Sequence, residues 1–289
     1  MRTALLLLVC AGCSATPERA LVAALPARSQ LHVEVPATAD AGTPAMLYEV
    51  TRQTSTQLNG VVDSVLDLVG DITSHPPTNA SADGAEWGPF TPPLSPATYR
   101  LIVRRVAPDS VQYHLDGRPK DTSDDAAFQP FLAGVSKDGA GARAGQFTVD
   151  AGIAHALDPA ANPGTGGVQA SYQLEPAMAV RLQLGDGAVA ANYRYDQLPD
   201  GSGDFRFATH TNLAGDATQL EDGLVRTRWL PSGAGRGDAH VRGGDAGATG
   251  MDLSECWDTT FSRTFVTDGT NAGGDPASCA FPDAVFTDL

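Results

Sequence analysis

The chain has 289 residues, with 19 Lys and Arg against 34 Asp and Glu, for a formal net charge of −15. That balance excludes a general nucleic-acid binder, whose phosphates demand a basic face, and it makes an anionic membrane surface repulsive. Gly and Pro, 31 and 20 in number, are scattered as turns require, and roughly 245 folded residues suit one large all-β domain or two small ones.

The chain opens Met1-Arg2-Thr3, continues Ala4-Leu5-Leu6-Leu7-Leu8-Val9 and reaches Cys10-Ala11-Gly12-Cys13. A basic start, a short apolar run and small residues before a cut site describe a secretory signal. The run is shorter than the roughly 20 residues a membrane span needs. Ala11-Gly12-Cys13 resembles the lipobox of bacterial lipoproteins, although Cys10 stands where that family usually has leucine. The resemblance implies removal of residues 1–12, acylation of Cys13 and a membrane anchor made by that lipid, each buried methylene contributing about 0.8 kcal/mol. Ser14 rather than Asp after the cysteine implies sorting to the outer membrane, facing either the periplasm or the outside. An ordinary secretory signal cleaved near Ala15 is the alternative. Removing residues 1–12 loses one charge, Arg2, and takes the net charge from −15 to −16.

Once Cys10 is cut away and Cys13 is acylated, Cys256 and Cys279 are the remaining thiols. An even pair in an exported chain reads as one disulfide. Closing a loop of about 23 residues contributes roughly 3 kcal/mol. A two-cysteine metal site is the alternative, and it lacks a nearby histidine: His240 is the closest to Cys256.

Residues 13–44 are rich in Ala, Pro and Thr and read as a lipidated tether, with Leu31, Val33 and Val35 as a short strand at most. From 45 to 72, Met46, Leu47, Val50, Thr54, Leu58, Val61, Val65, Leu68, Val69 and Ile72 recur at steps of three and four, the stripe of a long amphipathic helix. Thr51, Arg52, Ser55, Thr56, Asn59, Asp63 and Asp67 fall opposite, and His75-Pro76-Pro77 ends the run. Residues 74–97 read as a Pro-rich loop. A hairpin follows, Tyr99-Leu101-Val103 returning as Val111-Tyr113-Leu115 after a turn at Ala107–Ser110. Residues 123–136 read as a short capped helix. A meander then runs through 168–174, 180–184, 191–195 and 205–209, with turns at Glu175-Pro176, Gly185-Asp186-Gly187 and Pro199–Gly203. For its last hairpin, pairing Tyr195 with Phe207 and Asp196 with Arg206 avoids setting Arg194 against Arg206. Val225–Trp229, Ala239–Arg242 and a strand carrying Trp257, Thr259, Phe261 and Phe265 complete eight or nine antiparallel strands.

A sheet with one apolar face must curl around something, and the long helix is the obvious filler. The expectation is a mainly β domain over 45–289: one large curved antiparallel sheet, an open or nearly closed β-barrel, with the helix on its concave face.

Glu86-Trp87-Gly88-Pro89, Gly117-Arg118-Pro119-Lys120 and Ser254-Glu255-Cys256-Trp257-Asp258 resemble strings in uncharacterised lipoproteins of GC-rich gliding bacteria, over roughly residues 45–285. That resemblance implies no activity. More loosely, a curved sheet clasping a helix behind a lipobox resembles periplasmic lipoprotein carriers and lipid-binding lipoproteins, an analogy of fold alone.

The motifs that would signal chemistry are weak. His32, His75, His114, His155, His210 and His240 stand apart, without metal-ligand spacing, and read as surface or strand-face residues. Neither a G-x-S-x-G elbow nor a phosphate-binding P-loop occurs. Asp200–Asp204 and Asp268–Asn271 have oxygens at alternate positions, as calcium loops do, but turn chemistry alone accounts for both. Arg236-Gly237-Asp238 spells an integrin tripeptide, a pattern short enough to recur by chance. Aromatic residues gather on the face expected to point inward, with Tyr193, Tyr195, Phe205 and Phe207 as candidate ligand-facing residues. These features point to a non-enzymatic, lipid-anchored envelope protein that needs no cofactor or metal and binds an apolar ligand or a partner protein. A structural or surface-interaction lipoprotein with a filled core is the alternative, and an envelope hydrolase a third.

Overall fold

A computed structural model describes residues 17–37, 44–139, 142–162, 164, 166–175, 177–185, 190–212 and 219–286. The signal sequence and Cys13, the turn residue Pro176 and the turn at Asp186-Gly187 lie outside the described residues. Fifteen antiparallel strands form one sheet in strict sequence order. They are β1 (Asn79–Ala80), β2 (Gly84–Phe90), β3 (Ala97–Ala107), β4 (Ser110–Pro119), β5 (Gln129–Gly139), β6 (Ala142–Asp150), β7 (Gly167–Gln173) and β8 (Met178–Gly185). After these come β9 (Ala190–Gln197), β10 (Gly203–Thr211), β11 (Glu221–Trp229), β12 (Gly235–Gly243), β13 (Gly247–Trp257), β14 (Arg263–Thr267) and β15 (Ala272–Gly274). The terminal strands β1 and β15 do not pair, so the sheet is open. Both are only two or three residues long, a short edge of the kind that discourages edge-to-edge association.

Alternation assigns one face of this sheet to the core. A single cross-strand row runs Ala85–Val103–Tyr113–Gly134–Phe147–Ala170–Leu182–Tyr193–Phe207–Val225–Ala239–Leu253, from β2 to β13. Bulky and small side chains are interspersed along it, as interdigitated packing requires. Four aromatic rings fold back over a glycine on the neighbouring strand: Tyr113 over Gly134, Tyr172 over Gly145, Trp229 over Gly203 and Trp257 over Gly235. In each case a β-carbon on the glycine would overlap the ring. The glycines therefore give the aromatics room to lie flat, a use separate from turn-making.

The long helix α3 spans Met46–Thr73. Its buried residues are Leu47, Tyr48, Thr51, Ser55, Leu58, Val62, Leu66, Val69 and Ile72, so the buried face is rotated from the expected stripe. Met46 is 51% exposed. Thr51 and Ser55, expected on the polar side, are buried because their hydroxyls have partners: Thr51 Oγ1 lies within hydrogen-bond distance of Leu47 O and Thr227 Oγ1, and Ser55 donates to Arg52 O. Ala45 offers no capping side chain. The buried carboxylate of Glu255 on β13 takes that role, accepting the Leu47 N–H at 2.7 Å, where an anion also suits the helix dipole. At the other end, the Trp87 indole donates to His75 O.

The structure corrects several expectations. The segment expected as a tether is folded over residues 17–37: α1 (Pro17–Ala23), α2 (Arg28–Leu31) and the turn between them bury Leu21, Leu25 and Leu31 in the core, with Val33 after them. Asn59 clamps the Val33 backbone, accepting its N–H and donating to its carbonyl. The expected loop at 74–97 contains β1 and β2. The expected helix at 123–136 is one 3-10 turn, Asp125–Ala127, followed by β5. Three strands, β6, the greater part of β13 and β15, and the helix α4 (Ala151–Leu157) add to the expected elements. The expected single strand through Trp257 and Phe265 is broken by a turn at 258–262, where Asp258 Oδ1 accepts from Thr260 N and Ser262 N.

The β9–β10 register also differs. Tyr193 lies opposite Phe207, Tyr195 opposite Phe205, and Arg194 faces Arg206 directly. A shift of two residues leaves every side chain on the same face, so burial does not choose between the registers. The turn chooses: Leu198 N–H bonds Ser202 O, and Gly201 sits at φ +86°, a conformation that favours glycine. The like charges are relieved by neighbouring aspartates.

The disulfide forms between Cys256 and Cys279, 23 residues apart, with a Cα separation of 5.2 Å. Cys279→Ser is expected to cost about 3 kcal/mol from loop closure and to loosen residues 268–286 first. Chemical denaturation with segment-resolved hydrogen exchange checks both. Uniform loosening of the whole sheet contradicts the expectation.

Candidate binding face on the outer side of the sheet

The residues expected to face a ligand are brought together, as core. Tyr193 stacks on Phe205 and Phe207 with centroids 6.4 and 6.2 Å apart, and Tyr195 on Trp229 at 5.9 Å. Tyr195 and Phe205 are each 1% exposed, within the cluster that also holds Leu58, Val62 and Leu66 of α3.

Titratable side chains gather on the opposite face, across β8 to β13. The registers from β8 to β11 make Arg181, Arg194, Arg206 and Arg226 consecutive cross-strand neighbours. Directly opposed like charges are unfavourable unless counter-charges intervene. Asp196 meets Arg194 at 2.6 Å, and Asp204 meets Arg206 at 2.8 Å and Arg226 at 2.6 Å. Burial raises the Asp204 pKa, but its hydrogen bonds and proximity to Arg206 and Arg226 outweigh this and hold it below the usual carboxylate value. Asp116 behaves alike, burial being outweighed by His114 and Arg100. Depressed carboxylate pKa values stabilise the fold above the unfolded-state value and lose that contribution as pH falls through the folded value. Stability is therefore expected to decline below about pH 4. Asp204→Asn should make that acid decline shallower than in wild type, measured by urea midpoints across the acid range.

Further along, His210 Nδ1 lies 2.8 Å from Asp222, which also meets Arg242 at 3.4 Å, and His240 Nδ1 lies 2.6 Å from Asp252. His210 and Arg242 hold Asp222 below the usual carboxylate range. Both pairs join residues on adjacent strands, so reading each histidine alone misses them. His114 also meets Asp116, two residues along β4, and His32 meets Asp63 of α3.

The C-terminal segment crosses this outer face. Cys256 lies opposite Arg236 in the β12–β13 register, so the disulfide pins the segment on that side. Arg228 donates to Asp283 O, and Arg236 to Phe281 O and Pro282 O. The Arg228 guanidinium lies 4.9 Å from the Phe281 ring. Beneath the segment, Asp238 is 1% exposed and accepts from Arg228, Arg236, Ser254 and the Val285 N–H. Arg236 and Asp238 of the integrin-like tripeptide are thus buried partners. Phe286, 39% exposed, walls a groove of about 680 Å³ lined by Asn192, His210, Asp222, His240, Arg242 and Asp252. Asn192 is shared with a second groove of about 420 Å³ lined by Gln169, Ser171, Arg181, Gln183 and Arg194.

Asp200 Oδ1 accepts from Ser202 N, and Asp268 from Thr270 and Asn271, the turn roles anticipated for both. Among the described residues no three or more His, Cys, Asp and Glu side chains converge to hold a metal ion. No helix among them is long and apolar enough to cross a membrane. Comparisons with protein-family models, curated proteins and solved structures find no match.

Proposed function

We propose that this chain is a lipid-anchored outer-membrane envelope protein, non-enzymatic, that uses a filled, strongly curved sheet as a scaffold and recognises its partner with the outer face. In this reading the sheet wraps α3, which occupies its concave side. The observation that carries the choice of face is the occupancy of the core side. Leu58, Val62, Leu66, Val69 and Ile72 pack there in one cluster with residues from β2 to β12, Phe207 and Tyr195 included. The charged and titratable groups lie on the other side, in grooves open to solvent. The filled-core reading is therefore preferred to one in which Tyr193, Tyr195, Phe205 and Phe207 hold an apolar molecule. The anchor rests on Ala11-Gly12-Cys13.

The anchor is tested with Cys13→Ser. The variant is expected to leave the membrane fraction and to take up no labelled palmitate; envelope retention with palmitate incorporation contradicts the anchor. The filled core is tested on delipidated protein exposed to an envelope lipid extract and re-isolated. Stoichiometric lipid in native mass spectra, lost on Phe207→Trp, would restore the apolar-ligand reading.

A further inference from the structure

The arginine row on the outer face sets four guanidiniums against two aspartates. Arg194, Arg206 and Arg226 share Asp196 and Asp204. Arg181, next to Arg194 in the row, has no carboxylate within ion-pair distance among the described residues, and its side chain is exposed. Cross-strand neighbours have Cβ atoms only about 5 Å apart, so a guanidinium without an anion faces another whose own aspartate is already engaged.

The surroundings define what would complete the row. Gln169, Ser171, Gln183 and Asn192 line the same groove, and Gln169, Gln183 and Asn192 form a cross-strand row beside the arginines. Amides and a hydroxyl both donate and accept, the complement of a hydroxyl-rich ligand. A guanidinium fork suits a carboxylate in bidentate geometry. Six of the eight residues lining this groove carry an amide, aliphatic hydroxyl or guanidinium, and strands within a sheet have no free edge for strand addition. Across β8 to β11 the part of this face left open carries Arg181, Arg194, Arg206 and Arg226 against Asp196 and Asp204, while Arg228, Arg236 and Asp238 lie beneath the C-terminal segment. This face is locally cationic on a chain of net charge −15, which repels densely charged anionic polymers at long range.

Resting on the outer-face reading above, we propose that the groove over Arg181 and Arg194 binds an oligosaccharide whose carboxylates are spaced among neutral, hydroxyl-rich sugars, with one carboxylate on Arg181 and hydroxyls on Gln169, Gln183 and Asn192.

The test is calorimetric titration of the full mature chain, in detergent, with a hyaluronan hexasaccharide, which has a carboxylate on alternate sugars. Neutral chitohexaose and oligoglutamate are the comparators. The acidic saccharide is expected to bind at least about tenfold more tightly than either comparator. Arg181→Ala should weaken it by about tenfold or more, Arg181→Lys by less, and Gln183→Ala by a smaller factor. Because Arg181 is exposed, its variants should melt as wild type does. No saccharide binding, equal binding by wild type and Arg181→Ala, or oligoglutamate binding as tightly as the saccharide would overturn the assignment. None of those results bears on Cys13 or on occupancy of the core, so failure here is separable from failure of the proposed function.

Discussion

Gly203→Ala is expected to destabilise the protein by about 2 to 3 kcal/mol, although glycine-to-alanine changes inside regular structure usually help. The added methyl would overlap the Trp229 ring, which lies across Gly203 from the adjacent strand. Trp229 is 3% exposed and also stacks on Tyr195, so it has nowhere to retreat. Gly60 provides the contrast. It lies on an exposed turn of α3, with nothing within 4 Å of the place an added β-carbon would take, and Gly60→Ala should stabilise by about 0.5–1 kcal/mol. Trp229→Ala should cost about 3–5 kcal/mol. In the Gly203→Ala/Trp229→Ala double variant the combined cost should be less than the sum of the separate ones, since removing the ring removes the clash. Urea midpoints at constant m-value check all four, and equal effects at Gly203 and Gly60 would remove the ring-over-glycine account.

Asp238→Ala is expected to cost about 3–5 kcal/mol, because it strips the shared anion from the buried guanidinium of Arg236 and the part-buried one of Arg228. Arg236 Nε lies 2.8 Å away and Arg228 Nη2 3.2 Å away, and Ser254 Oγ and Val285 N also donate to this carboxylate. Burial already lowers the Arg228 pKa, with Asp238 opposing that effect, so losing the carboxylate leaves Arg228 desolvated beside Arg226. The C-terminal segment should detach from the outer face while the disulfide still tethers its beginning. Hydrogen exchange is therefore expected to rise at 281–286 and also at β12, whereas Cys279→Ser should spare β12. Asp238→Asn, which keeps one acceptor oxygen, should cost less. Loss of stability confined to the tail, with β12 protected, would show that the ion cluster does not hold the sheet.

Local pattern makes several elements legible. The β3–β4 hairpin is readable because Leu101, Val103, Val111, Tyr113 and Leu115 alternate around a Pro-Asp turn, and they pair as anticipated. Helix α3 is readable from a 3.6-residue period sustained over its 28 residues, and the Cys256–Cys279 bond from the parity of the remaining thiols. Strands β5, β6 and most of β13 are not. β5 carries a polar-to-charged end at Ser136–Asp138, β6 has little beyond Phe147 and Val149, and β13 begins Gly247-Ala248-Thr249-Gly250. Those stretches acquire strand structure from the backbone hydrogen bonds of neighbours on both sides, which no local pattern records. Residues 17–37 pass for a tether for a related reason. Leu21, Leu25, Leu31 and Val33 are too dispersed to show a period, yet each finds a place in a core built by other segments.

The candidate site is the least legible part. The partners of His210 and His240 are 12 residues away on adjacent strands, and Glu255 caps a helix 208 residues earlier in the chain. The row of arginines exists only because turn geometry at Leu198–Ser202 selects a register that charge repulsion alone argues against. Chain order and composition by themselves determined the β-rich class, the long helix and the pairing of the cysteines, because these depend on periodicity and parity along the chain. Tertiary structure alone decided the inter-strand registers, the burial of Asp238 under the C-terminal segment and the gathering of charge on the outer face. Those depend on which strands become neighbours. Cross-strand contacts a few ångströms apart join residues whose separation in sequence is fixed by turns and loops rather than by any period in the side chains.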